Sequence, residues 1–386
     1  MSILGNILGV RMNLLIGPSP VALPAPMEML LAIDEIEILL SDSAESGFKM
    51  VLNTGRSGPF DFLEAPFVAD PRLQVGARVI VTMFFDFTPN VIFDGLVTKR
   101  HYAPGEEARS GKLTLLGRDL SFELDREEKR TEHPAMDETM IATLIGASYP
   151  QFGMLPMVLP PKVIDPPIPI DRVPQQNCSD WAYLKHMARR HGYETYVDPG
   201  PLPGMNLLYW GPPVRPGIPQ RAMTVNSGPA SDAYDIDIAH SGEELTVVES
   251  SVIDRFTGVE TPVLALVNSQ SPLGAVPESV VRFGQTRSKS ILTSGLNMAQ
   301  AMARAQAEVD ESARDVIRVT GTLDSTRYNG ALKARDRIDL RGVGLTYDGA
   351  YKVAEVRHRI KPGGYEQGFV LRRSETLPLS PLVRAQ

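Results

Sequence analysis

Six histidines, one cysteine and several clustered carboxylates are the side chains in this 386-residue sequence best able to do acid–base or metal chemistry. His186 and His191 fall on one predicted helix but five positions apart, so they diverge around it and cannot share a metal as an i, i+4 pair could. His101 and His358 each follow an arginine at a strand end and read as rim residues. Glu123, Glu127, Glu128 and Glu132 could supply the carboxylate pair of a glycoside hydrolase, but they lie in a charge run that reads as solvated surface. Asp235 and Asp237 would share one face of a strand. No third ligand is near in sequence, so they read as exposed strand residues. Cys178 precedes a helix start, where a thiolate could be stabilised, yet without a histidine partner it reads as a small buried or capping residue. Gly-x-Ser-x-Gly, His-Glu-x-x-His and phosphate-cradling loops are absent. No catalytic residue, metal ligand or cofactor is assigned, and the chain reads as a non-enzyme.

The composition fits that reading. The length suffices for two or three domains, and a net charge of −7 argues against a protein built to coat nucleic acid. The lone cysteine rules out an internal disulfide. Proline is at roughly 8%, against a usual ~5%, which favours strands joined by many turns over long helices. The N-terminal MSILGNILGVRMNLLIG is apolar but interrupted by Asn6, Arg11 and Asn13. It is too short to span a bilayer and lacks signal-peptide order.

The elements follow from the hydrophobic periods. Residues 1–26 read as an N-terminal arm and a proline-rich linker, with Ile3, Leu4, Ile7 and Leu8 suited to burial against a partner. Two strand-like runs between Glu28 and Val51, then Gly76–Thr82, Asn90–Thr98 and Lys112–Gly117, predict an antiparallel meander of barrel or sandwich size. Asp137–Ala147 predicts a short helix with Met140, Ile141, Leu144 and Ile145 inward, and Leu155–Pro174 an extended connector. Further on, 235–239 and 244–254 alternate as strands. Residues 296–314 give a helix with Met298, Met302, Ala305 and Val309 at core spacing. Ile317–Thr322, Asp336–Leu340, Ala350–Ile360 and Gly368–Arg373 close the chain as strands.

The most explicit stretch is 169–212. Ser179 and Asp180 start a helix in which Trp181, Leu184 and Ala188 form the apolar face, and Gly192 is the left-handed cap. Tyr193–Asp198 and Met205–Trp210 then read as a hairpin, which places both tryptophans in one core.

The order Gln-x-Asn-x-Ser-Asp-Trp, an apolar helix, His-Gly-Tyr and a strand resembles the middle segment of the phage late control protein D family. These are hub proteins of contractile phage tails, and the same module opens the spike proteins of type VI secretion. A second resemblance covers 331–373, where Gly349, Tyr351, Val353 and His358 match the order of the family's closing barrel. Gly321 and Leu323 stand in its first strand. Many members have glycine before the alternating strand, whereas this chain has Ala334-Arg335-Asp336. The halves VGARVIV…FDGLVTKRH…KLTLLGRD and ARDRIDL…YDGAYKVAEVRH…GFVLRRSE echo each other, as a duplicated barrel would.

The fold class expected is mainly β with an α+β insert: two related antiparallel β-barrel, tube-like domains plus a small helix–hairpin domain. The boundaries are 1–26 arm and linker, 27–130 first barrel, 131–230 insert, 231–375 second barrel with helix 296–314, and 376–386 a tail toward a spike. The resemblance implies a homotrimeric hub joining a sixfold tail tube to a threefold spike, each subunit supplying two equivalent faces. Its implied partners are further copies of itself, the tube protein, a separate spike protein met by Leu377, Leu379, Leu382 and Val383, and other baseplate proteins. Stable nucleic-acid binding and a transmembrane segment are not expected. The implied place is the tail baseplate of a virion, or an injection particle, assembled in the bacterial host cytoplasm. A host- or glycan-binding module at the particle tip and a cell-wall hydrolase are the competing readings.

Overall fold

The computed structural model describes residues 10–55, 67–105, 111–164, 170, 173–242, 245–253, 258–281 and 286–379. Its frame is one 13-stranded sheet. Along it run Ala233–His240, Ile317–Asp324, Gly364–Arg373, Gly349–Lys361, Ile33–Ser41, Gly47–Asn53, Lys112–Asp119, Thr88–Ala103, Ala77–Phe85, Val10–Pro18 and Leu23–Pro24. Arg337–Arg341 pairs beside Gly349–Lys361, and Gln220–Thr224 joins Arg337–Arg341 in parallel. The neighbours along the main path are antiparallel, as expected of strands linked by short turns.

The two halves foreseen as separate barrels are continuous through a single 13-residue strand, Gly349–Lys361. On one side its first residues pair with Arg337–Arg341, Arg337 opposite Lys352. Further along, Glu355 to Ile360 pair with Ile33–Ser41, from Glu355 opposite Ser41 to Ile360 opposite Ile36. A register shift between Val353 and Glu355 falls where the partner changes. The Ala354 carbonyl freed there accepts from Asp42 N at 3.0 Å. A bulge of this kind lets one strand serve two sheets by turning its edge. The echo between the halves is also real in three dimensions: 77–85, 88–103 and 112–119 form one antiparallel meander, and 337–341, 349–361 and 364–373 form another. In both, the middle strand is bulged against the last, at Val97/Lys99 and at Val353/Glu355.

One apolar core spans both meanders. Met12, Leu14, Ile36, Ile38, Met50, Leu115, Val319, Leu340, Val356 and Leu371 belong to it. Each is an alternate residue of its strand, so these positions line one face of the sheet, while Ala77–Phe85 and the middle of Thr88–Ala103 are buried on both faces; at about 1.5–3 kcal/mol per large side chain, this burial is the main stabilising term.

Several expectations are corrected. Residues 10–18 of the supposed arm are a strand paired along its whole length with 77–85. Met12, Leu14 and Ile16 point inward and alternate with Arg11 and Asn13, the polar residues that read in the sequence as mere interruptions of an apolar arm. Met27–Ala32 is a short helix where the strand-like runs were expected to begin at Glu28. The helix Glu138–Ala147 buries Ile141, Ala142, Ile145 and Gly146, while Met140 and Leu144 face outward. Part of the supposed connector, Met154–Val158, is a strand parallel to Asn206–Gly211. Asp235 has φ +54 at a register shift, so it does not share a strand face with Asp237. In the long helix Met298–Ser312, Ala301, Ala305 and Val309 are buried while Met298 is outward.

Candidate functional site

The helix–hairpin insert is built as its sequence suggests. Ser179 Oγ accepts from Ala182 N at 3.2 Å and donates to Asp125 Oδ1 at 2.6 Å, capping the helix Asp180–Arg190. Asp180 is buried beneath three donors: Gln176 Nε2 at 2.7 Å, Lys129 Nζ at 2.6 Å and the Tyr149 hydroxyl at 2.7 Å. Burial and the adjacent Asp180 carboxylate push the Tyr149 hydroxyl far above its ordinary range. Trp210 Nε1 donates to the Leu184 carbonyl at 3.3 Å, and Tyr193 meets the Trp210 ring edge-on at 5.1 Å. Trp181 and Leu184 share that core. Gly192 has φ +64, and a Cβ there would stand 3.2 Å from Ala307 Cα of the long helix. Two features of glycine are therefore used at one position: the left-handed cap and the close approach of a second helix.

Three buried cations tie this insert to the two β halves. Arg78, inside an otherwise apolar strand, donates to Asp94 at 2.9 and 2.7 Å and to the Phe152 carbonyl of the insert at 3.2 Å. Asn206 Nδ2 of the hairpin donates to the same Asp94 at 2.8 Å. Lys352 lies between Asp42 of the first half, at 2.7 Å, and Glu194 of the insert, at 2.6 Å. Burial works to raise the Asp42 carboxyl, but Lys352 and Arg372 outweigh it and hold it below its ordinary value. Burial prevails at Glu194 and holds it above.

Arg335 is the third. It is buried, pairs with Asp198 of the hairpin, and donates to Ser41 O at 2.6 Å and Ser46 Oγ at 2.8 Å in the first half. Its φ is +71. The turn therefore has the left-handed geometry that glycine adopts freely, and arginine is there for its side chain. Arg215 bridges the same Asp198 at 3.0 Å to Asp336.

In the closing strand, Gly349 has φ +123 and Tyr351 donates to the Tyr347 carbonyl at 2.6 Å beneath the Arg373 guanidinium, 4.4 Å from its ring. Val353 N donates to Asp336 O at 3.0 Å. His358 corrects the rim reading: it is wholly buried, with Nδ1 2.8 Å from the Tyr365 hydroxyl, and burial lowers it to about 3. His101 is exposed. His186 and His191 stay apart, His191 pairing with Glu138 and His186 standing 3.5 Å from Arg190. Cys178 is half-buried against the insert core. Glu127, Glu128 and Glu132 are exposed, and Glu123 pairs with Arg126. Among the described residues no group of three His, Cys, Asp or Glu could hold a metal ion, and no helix is long and apolar enough to cross a membrane.

The expected spike-facing residues divide. Glu375–Pro378 pairs with Gly274–Pro277, leaving Leu377 and Leu379 exposed at its end. Leu382 and Val383, like Ile3, Leu4, Ile7 and Leu8, lie outside the described residues. The tying cations were missed in the sequence, although their signal was present: Arg78 and Lys352 are single charges inside apolar runs, and Arg335 stands where the resemblance led one to expect a glycine turn.

No family model matches the sequence, and no curated protein matches it. The fold has solved counterparts. It is similar to a tail protein from Neisseria meningitidis MC58, with a TM-score of 0.64 at 14% identity over 95% of this chain and 97% of that one. It is also similar to the 43 kDa tail protein of prophage MuSo2 from Shewanella oneidensis, with a TM-score of 0.63 at 13% identity over 95% and 98%. An Escherichia coli component of the type VI secretion system, described as structurally similar to the bacteriophage T4 tail proteins gp27 and gp5, gives 0.53 at 9% identity over 88% and 73%. The fold is thus shared with tail proteins, one of them from a prophage, and with a type VI secretion system component, in keeping with the residue resemblance.

Proposed function

We propose that this chain is the structural baseplate hub of a contractile phage tail or related injection particle, a homotrimeric ring adapting a sixfold tail tube to a threefold central spike. The observation that carries this is the repeated meander. Two equivalent three-stranded units on one sheet give a trimer six similar faces toward a tube, while the chain as a whole keeps threefold symmetry toward a spike. The buried ties of Arg78, Lys352 and Arg335 make each subunit a rigid block, which a load-bearing adaptor needs. Leu377, Leu379, Leu382 and Val383 form the spike side. The role is non-catalytic, other baseplate proteins are further partners, and the particle assembles in the host cytoplasm.

Light scattering on the purified chain tests the ring. The expected mass is that of three 42.3 kDa subunits. A monomer over the whole soluble range, with and without spike and tube proteins, would sink the proposal.

A further inference from the structure

The insert and the two halves of the sheet enclose a cavity of about 250 Å³. Val91 and Ile92 come to it from the first meander, Leu155, Met205 and Leu207 from the insert, and Leu332 from the segment ahead of the second meander. An apolar cavity of about 150 Å³ is already large enough to take up benzene. Asn90, Ala331 and Lys333 also line a more polar groove of about 380 Å³, and Lys333 is exposed, so the cavity has a mouth on that side.

Two polar side chains stand in this apolar wall. Asn206 and His358 both line the cavity and are 1% and 0% exposed. Asn206 Nδ2 donates to Asp94 Oδ2 at 2.8 Å and to the Phe152 carbonyl at 2.9 Å. A carboxylate and a carbonyl only accept, so the amide cannot be turned round, and its Oδ1 is left as a buried acceptor without a partner among the described residues. His358 Nδ1 is taken up by the Tyr365 hydroxyl, 2.8 Å away. Its Nε2, on the other side of the ring, is likewise buried and unpartnered among the described residues. Burial keeps the ring neutral, so Nε2 needs a hydrogen bond and no counter-charge. A buried polar group without a partner is costly, and two at one cavity point to a group that pairs with them.

The charges on the wall are already matched. Asp198 pairs with Arg335 and, at 3.0 Å, with Arg215, and Arg215 pairs in turn with Asp336. Lys333 keeps its hydration at the mouth. A charged ligand would therefore lose its own hydration inside without gaining an unpaired counter-ion. We propose that this cavity is a binding site for a phenol-type group, an apolar ring carrying one hydroxyl, held between the insert and the two meanders. The ring fills the apolar volume, and Met205 offers a polarizable thioether to an aromatic face. A hydroxyl both donates and accepts, which suits the accepting Oδ1 of Asn206 and the ring nitrogen of His358. A carboxylate has no proton for Oδ1, and a bare hydrocarbon leaves both polar atoms as they are.

The test titrates the full chain with p-cresol, toluene and p-toluate, followed by calorimetry and by thermal unfolding. p-Cresol is expected to bind and raise the melting temperature, toluene to bind at least about fivefold more weakly for want of the hydrogen bonds, and p-toluate not to bind. No binding of p-cresol, or equal binding of toluene or p-toluate, would overturn the proposal. Ala331→Leu and Leu207→Trp each add volume at a lining residue and leave Asn206 and His358 in place. Each variant should keep the fold and lose the p-cresol response, and should one fail to fold, the other carries the test. An unchanged response in a folded variant would overturn the assignment to this cavity. N-acetyltyrosinamide separates the two sources of such a group: competition with p-cresol supports a partner's tyrosine side chain in this site, and failure to compete supports a free small molecule there. Neither readout depends on the chain being a trimer, so the hub reading and this one fail separately.

Discussion

The guanidinium of Arg335 lies over the ring of Tyr196, 4.4 Å from its centre, although 139 residues separate them. This contact, with the Asp198 ion pair, fixes the hairpin of the insert on the turn that opens the second meander. Burial and the Asp198 carboxylate push the Tyr196 hydroxyl up. For Arg335 burial works the other way, but Asp198 outweighs it and the charge is held on. The backbone at Arg335 is left-handed, an arrangement that costs a non-glycine residue of order 1 kcal/mol.

Arg335 is therefore expected to separate backbone strain from side-chain contact. Arg335→Gly relieves the φ of +71 but leaves Asp198 with Arg215 as its remaining cation and takes the guanidinium donor from Ser41 O and Ser46 Oγ, a net loss of about 2–4 kcal/mol. Arg335→Ala loses the same contacts and keeps the strain, so it should be less stable than the glycine variant by about 1 kcal/mol. Urea unfolding of the three chains measures the order, and an alanine variant as stable as the glycine one would contradict the argument.

Lys352 is the cation between Asp42 and Glu194. Lys352→Met leaves two buried carboxyls without it and is expected to cost about 3–5 kcal/mol. Adding Glu194→Gln should recover part of that loss, because the neutral amide needs no counter-charge. A double-mutant cycle with no coupling between 352 and 194 would show that the pair is not energetically joined.

Stability should fall on acidification through His358. Its folded pKa is lowered to about 3 by burial, against about 6.5 in the unfolded chain. Below pH ~6.5 the unfolded state takes up a proton that the folded state refuses, so stability declines as pH falls toward 3 by up to about 1.4 kcal/mol per unit. His358→Gln should flatten that slope between pH 6 and 4 in denaturant titrations. An unchanged slope would assign the decline to other groups, of which Asp42, with its lowered carboxyl, acts only at the acid end.

Gly192→Ala should disturb two elements at once. The left-handed φ and the 3.2 Å approach to Ala307 together predict a loss of about 1–3 kcal/mol. Pairing it with Ala307→Gly should relieve only the 3.4 Å contact with Ala307 Cβ, because the nearer Ala307 Cα remains, so most of the loss should persist. A full rescue would mean that the φ carries no cost.

The local vocabulary was present in the sequence. The Ser179 cap, the Trp181–Leu184 face, the Gly192 stop and the following hairpin are set by interactions within a few residues, so period and turn chemistry suffice to read them. The repeat of two meanders was legible for the same reason. Strand Val10–Pro18 was misread because such a stretch declares a strand only when its partner is known, and Ala77–Phe85 pairs with it from far along the chain, Pro18 with Ala77 and Val10 with Phe85. Only the tertiary structure decided that the halves share one sheet, since the Ile33–Ser41 edge meets Gly349–Lys361 from the far end of the chain. The same holds for the charges: Arg78 and Lys352 stand out as single charges in apolar runs, but one dimension does not say what they pair with. Asp94 meets Arg78 across one hairpin, but Phe152, Asp42, Glu194 and Asp198 come within reach only when distant parts of the chain close on one another, and burial then turns ordinary charges into the ties between them.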